Sequence, residues 1–210
     1  KEQAQPMAED HVQLRTYAFI DSMQPQFAAF LGSELDGDVP LSGMAELWME
    51  LAPGSEVYNL LDSALKTCDA RPGLQMVERE FGVLEVHSFS VDSVKDAGST
   101  ILNACGLNVS QRLKPKVVSS KIIHKVNPYQ AQQINKNRKG NLLLPGQSLL
   151  VFEVEPAAYI VLAANEAEKA ADIQLIHFNP FGRFGRLFLA GTESEIKSAL
   201  ESAVTVVESI

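Results

Sequence analysis

The sequence predicts an α/β protein built from two copies of one α+β sandwich, each with helices on a mostly antiparallel sheet. Three observations carry that reading. The chain repeats itself at an offset of 103 residues: Glu50–Ser88 slides onto Glu153–Gly191 without a gap, giving 8 identities in 39 positions. Unrelated sequence of average composition gives roughly 2 or 3. Both copies then carry strand patterns and one strong helical stripe in the same order. Finally, 210 residues with 46% hydrophobic and 21% charged side chains form an ordinary globular composition, and each half is large enough to bury its own core.

The elements follow in order. Gln13–Asp21 alternates polar and apolar side chains and reads as a strand, with Lys116–Lys125 as its counterpart. Pro25 and Pro128 come next, each placed to open a short helix, and Gly32 reads as the stop of the first. Leu47–Ala52 and Leu149–Glu155 are second strands. The strongest helical signal is Val57, Leu60, Leu61, Ala64, Leu65 and Cys68, repeated as Ile160, Ala163, Ala164, Ala167 and Ala171. Two strands with a tight Phe-Gly between them follow: Leu74–Arg79 then Val83–Phe89, and Ile173–Phe178 then Arg186–Ala190. A closing helix carries Val94, Ala97, Ile101 and Leu102, or Ile196, Leu200, Ala203 and Val207. Residues 1–10 read as a flexible leader, 11–107 as the first domain, 108–115 as a linker and 116–210 as the second domain.

Eighteen basic against 26 acidic residues give a net charge of -8, which argues against nucleic acid or an anionic membrane as partner. No run approaches a membrane span of ~18 apolar residues. Cys68 and Cys105 lack CxxC spacing and read as buried thiols of a reduced, cytoplasmic protein. The four histidines, His11, His87, His124 and His177, lack metal-ligand spacing. No nucleophile elbow, P-loop or dinucleotide fingerprint is present. The expectation is a protein that is not an enzyme, with no metal and no cofactor.

The helix stripe carries a resemblance. Leu61–Asp69 and Ala164–Asp172 resemble the signature helix of the bacterial microcompartment (BMC) shell-protein domain, an alanine-rich helix with a lysine near its end. Further matches are Leu14–Asp21 with Gln24-Pro-Gln26, Val77-Glu-Arg79, Leu144-Pro-Gly146 and Gly185-Arg-Leu187. Nearly the whole chain is covered, and it is most similar to tandem-domain shell proteins. The resemblance implies two permuted BMC domains with ferredoxin-like sheets, in a homotrimer that forms a pseudohexameric tile and stacks in pairs. It also implies a place in a microcompartment shell, with other shell proteins at the tile edges and small metabolites crossing a gated central pore. Lys66 and Lys169 are then expected at the tile edge. Glu78, Arg79, Phe181, Gly182 and Arg183 are expected at the pore, with Gly82 as a hinge. Members of the family usually carry a small residue where this chain has Arg183.

Because the copies alternate around a trimer axis, positions where they differ become informative. Glu78-Arg79 falls opposite Phe181-Gly182. Ser33-Glu-Leu-Asp-Gly37 is acidic where Lys136-Asn-Arg-Lys-Gly140 is basic, and Lys136, Arg138 and Lys139 are the best cluster for an anionic metabolite. Two other readings stay open at this point. One is a small-molecule-binding signalling trimer of ferredoxin-like fold. The other is an electron-transfer shell protein, which needs a cysteine in the pore turn and finds none at Glu78–Glu80.

Overall fold

A computed structural model describes residues 11–210; the expected leader, residues 1–10, lies outside the described residues. The first half runs β1 (Gln13–Ile20), α1 (Pro25–Glu34), β2 (Ala45–Ala52), α2 (Glu56–Leu65), β3 (Arg71–Glu78), β4 (Phe81–Ser88) and α3 (Val91–Cys105). The second repeats it as β5 (Lys116–Ile123), α4 (Pro128–Asn137), β6 (Ser148–Glu155), α5 (Ile160–Ala170), β7 (Gln174–Asn179), β8 (Gly185–Gly191) and α6 (Glu193–Glu208). Each half forms a four-stranded sheet, ordered β1-β2-β4-β3 and β5-β6-β8-β7. All six strand pairings are antiparallel.

Local chemistry sets the helix ends. Pro25 and Pro128 open α1 and α4, where the absent N–H of proline is no loss. α3 starts on Ser90, whose side chain accepts from Ser93 N, and stops on Gly106 in the left-handed conformation. α6 starts on a reciprocal capping box between Thr192 and Glu195. Between the halves, Asn108 and Gln111 form a second such box around one short 3-10 turn.

Two local expectations need correction. Gly32 does not stop α1, which runs on to Glu34. A β-carbon there would lie 3.3 Å from Val39 Cγ1, so the glycine makes room for the loop that folds back on the helix. Nor do Phe81-Gly82 and Phe184-Gly185 form tight turns, because Glu78 already pairs with Phe81 in the ladder. The reversal is Arg79-Glu80. Gly82 and Gly185 serve a close approach instead: a β-carbon on either would lie 2.1 Å from a backbone carbonyl, of Gly54 or of Ala157. A glycine locked this way against neighbouring backbone is not a hinge.

Nor does each copy bury a wholly separate core. One face of the first sheet closes under α2 and α3 through Leu47, Met49, Leu51, Leu84 and Val86. Its other face joins the second half. Trp48, Phe27, Phe30 and Leu31 share one continuous cluster with Phe152, Tyr159, Phe178 and Leu189. Phe178 stacks on Phe30 at 4.3 Å and on Phe27 at 5.4 Å between ring centroids. Aromatic pairs at these distances add about 0.5–1.5 kcal/mol beyond their burial. The halves are thus welded into one body, which fixes the two β-hairpin ends relative to each other.

Candidate functional site

The β3–β4 and β7–β8 turns come together. Glu78, Arg79, Glu80, Gly182, Arg183 and Phe184 line one hollow of about 540 Å³, with Arg15, Glu155 and Arg186 in its walls. Arg79 and Gly182, equivalent under the repeat, both take a positive φ, 56° at Arg79 and 85° at the glycine. A left-handed residue costs arginine about 1–2 kcal/mol and glycine nothing, so the first turn holds strain that the second avoids. The Arg79 side chain is 89% exposed, with Nε 3.9 Å from Glu78 Oε1. Arg183 reaches toward Glu155 at 3.5 Å and lies over the Phe184 ring at 5.0 Å. Phe181 lies apart from this hollow. Its ring packs near Trp48, 6.3 Å between centroids, because an aromatic face is better buried in the shared core than wet.

Below the turns the two copies solve one problem differently. Glu50 and Glu153 are equivalent, and each is neutralised by an arginine from a different strand. Arg15 on β1 donates to Glu50 at 2.6 Å, while Arg186 on β8 donates to Glu153 at 2.6 Å. Glu50 is fully buried, and burial pushes its carboxyl up although Arg15 opposes this. The Arg15 guanidinium also lies 3.6 Å from the centre of the Phe81 ring, so it braces the foot of the first turn.

Lys66 and Lys169 sit at the C-terminal ends of α2 and α5, where a cation complements the helix dipole. Lys66 bonds Asp62 at 2.5 Å with both side chains largely exposed, and Lys169 stands 3.8 Å from Glu166. Exposed pairs of this kind contribute about 0–1 kcal/mol. Their retention in both copies is not explained by stability.

The basic loop is partly occupied. Lys139 pairs with Glu34 of α1 at 2.8 Å, so the acidic and basic loops meet inside one chain. Arg138 donates to the Asn135 carbonyl, which leaves Lys136 exposed to solvent. His177 lies near that pair, and burial lowers its pKa. Sequence reasoning missed Glu168 and Gln26, which fasten the halves together. Glu168 accepts from the N–H groups of Gln26 and Phe27, both at 2.8 Å. Gln26 donates to the Ile173 carbonyl and accepts from Leu175 N. The only signal was the Gln-Pro-Gln that opens α1, which does not announce a partner over 140 residues away.

Cys68 follows α2 and Cys105 ends α3, both free and both away from the turns. Among the described residues no cluster of histidine, cysteine and carboxylates can hold a metal ion, and no helix is long and apolar enough to cross a membrane.

Two permuted sandwiches in tandem, with a charged hairpin turn and a retained helix-end lysine in each, define a tandem-domain microcompartment shell protein. The family model for the CsoS1D N-terminal domain matches residues 14–111. The chain is 46% identical to the carboxysome shell protein CcmP of Synechococcus elongatus, over 95% of this chain and 93% of that one. It is 40% identical to the carboxysome shell protein CsoS1D of Prochlorococcus marinus, over 96% of this chain and 79% of that one. Among solved structures, a fused permuted hexameric shell protein of the RMM microcompartment superposes with a TM-score of 0.90 at 39% identity, covering 93% of this chain and 98% of the other. A double-ringed trimeric shell protein of the same microcompartment gives 0.90 at 37%, covering 95% and 97%. The chain belongs to the family of tandem-domain shell proteins that includes CcmP and CsoS1D. It is a structural protein of a microcompartment shell and not an enzyme, and these relatives give no support to the signalling-trimer reading.

Proposed function

We propose that three copies of this chain close into a flat, pseudo-sixfold carboxysome tile with a gated pore at its axis, and that two tiles stack face to face. The observation that carries this is the meeting of the two hairpin turns at one hollow, charged in one copy and glycine-containing in the other. Only a shared axis gives such a contrast a use. Stacking is supported by the likeness to the double-ringed trimeric protein.

Around that axis three copies of Glu78 and three of Arg79 form a ring. Like charges ~5 Å apart repel by roughly 1 kcal/mol per pair in water and about 3 at an effective dielectric of 20. Both sets therefore cannot point inward unpaired. One state pairs Glu78 with an Arg79 and narrows the opening; the other swings the exposed arginines aside. Because Gly82 is locked and Phe81 is braced by Arg15, the movement is confined to Glu78–Glu80. Arg183 adds positive charge at one mouth and favours small anionic metabolites, with Lys136 as the free cation of the basic loop and Lys139 available once Glu34 lets go. Lys66 and Lys169 join neighbouring tiles.

The test is the pore opening of the parent compared with that of Glu78→Ala combined with Arg79→Ala, by structure or by accessibility of a probe thiol near the axis. The charged pair as gate requires two openings in the parent and one in the variant. A single identical opening in both proteins under all conditions sinks it.

A further inference from the structure

The face of the first sheet turned away from α2 and α3 carries a buried polar chain that the second sheet lacks. On this face Glu46 of β2 stands directly opposite His87 of β4, and Trp48 stands opposite Glu85. Glu46 and Glu85 are thus diagonal neighbours, within reach of each other. All four residues are 0% exposed. His87 Nδ1 lies 2.9 Å from Glu85 Oε1, and its Nε2 lies 3.1 Å from Asp38 Oδ2. The Gly73 N–H donates to Glu85 Oε2 at 2.9 Å. Arg71 stands 3.5 Å from the other oxygen of Asp38. Glu46 faces the Trp48 indole and the Glu85 carboxyl, and neither of its oxygens completes a hydrogen bond. At the equivalent places the second half has Leu149, Val151, Phe188 and Ala190, packed as an apolar cluster under α4.

The charges here can be counted. Three carboxyl groups, Asp38, Glu46 and Glu85, meet Arg71 and the His87 imidazole, which donates to both flanking carboxyls only when it carries both ring protons; even then the acids outnumber the cations by one. The remaining acid of α1 on this side, Glu34, is already engaged by Lys139. Two ionised carboxylates facing each other in a dry interior are prohibitively costly. One additional proton removes the imbalance.

We infer that Glu46 and Glu85 form a buried proton-binding site, holding one proton between them, whose occupancy controls how firmly the 35–44 loop is fastened to β3. Burial is the first cause pushing both carboxyls well above the ordinary range, and for Glu46 the Glu85 charge is the second. On release the proton goes to solvent and leaves two facing carboxylates. The polar chain gives way at its least embedded carboxyl, Asp38, whose loop touches β3 through Gly37 N to Gly73 O and Asp38 N to Pro72 O, both 2.9 Å. The sign follows from linkage. The native state binds a proton that the opened chain has lost, so stability of this region falls as pH rises above the ordinary glutamate range toward the raised folded value. The inference does not depend on the pore.

The repeat supplies an internal control. Gly140 N to Ile176 O and Asn141 N to Leu175 O, at 2.9 and 2.8 Å, are the same two bonds in the second half. Amide hydrogen exchange on the full chain, from about pH 6 to about pH 9, compares the pairs residue by residue. The expected result is that Gly37 and Asp38 lose protection relative to Gly140 and Asn141 by about tenfold per pH unit while the native state keeps the proton. Glu46→Gln, which cannot release it, should make that ratio independent of pH. Parallel exchange of the two pairs in the parent, or an unchanged slope in Glu46→Gln, overturns the inference. If Glu46→Gln does not fold, carboxyl titration of the parent by carbon-13 NMR decides. Titration of the Glu46 or Glu85 carboxyl above the ordinary range upholds the site, and neither doing so rejects it.

Discussion

The two short helices, α1 and α4, occupy equivalent places in the repeat and live in different surroundings. α1 buries Phe27, Ala28, Phe30 and Leu31, whereas α4 buries only Ala131. The first turn of α1 has no cap of its own and is served by Glu168 from the other half. The first turn of α4 is served by its own Asn127, which accepts from Tyr129 N at 2.9 Å. Where α1 has Gln26 bonded to Glu168, Ile173 and Leu175, α4 presents Tyr129 at 78% exposure. The counterpart of Glu168 is Leu65, on a surface of α2 and β3 that also exposes Tyr58 and Val77. The chain therefore carries one filled junction and both halves of an unfilled one. That is what identical chains need in order to close into a ring.

The comparison can be broken most severely at Phe178. Phe178→Ala removes the ring on which Phe27 and Phe30 stack and should lower stability by about 3–5 kcal/mol in chemical denaturation. Its exposed counterpart, Gln75→Ala, should change stability by less than about 0.5 kcal/mol. Equal effects would mean that the halves are not joined as described. Next in size is Glu168→Ala, which strips two helix N–H groups of their acceptor and should cost about 1–2 kcal/mol by the same measurement.

The hairpin turns give a finer contrast. Arg79→Gly should raise stability by up to about 1 kcal/mol in chemical denaturation, since glycine takes the left-handed conformation freely. Gly182→Ala should lower it by a similar amount, for backbone reasons alone, because a β-carbon there meets nothing within 4 Å. Smallest in stability is Lys66→Asp with Lys169→Asp, within about 1 kcal/mol of the parent. Sheet formation seen by electron microscopy should nonetheless be lost. Sheets as extensive as the parent's would reduce both to solvated lysines.

The order of elements was legible because the repeat let each weak strand signal be read twice, and because Pro25 and Pro128 open the two short helices. The Phe-Gly turns were misplaced because a glycine needed for close approach looks, in sequence, like one needed for a turn. Only the backbone of Gly54 and Ala157 distinguishes them. The buried acids were invisible for a related reason. Glu46, Trp48 and Glu50 alternate with Leu47, Met49 and Leu51 as in a strand with one wet face. Yet β2 is an inner strand buried on both faces, on one by α2 and α3 and on the other by α1 and the second half. The Lys139–Glu34 pair and the Glu168 cap join residues more than 100 positions apart, which no local pattern encodes. Glu78, Arg79, Gly182 and Arg183 line one hollow, while Phe181 turned inward because the shared core offered its ring a drier place.

The central claim is that the uncovered face of α4 meets the α2 and β3 surface of another copy. The most direct measurement is the mass of the full chain in solution, by sedimentation equilibrium across a concentration series. The account predicts three times the chain mass of 22.9 kDa, rising to six times as tiles stack at higher concentration. A species of 22.9 kDa, or of twice that, at every concentration would contradict it.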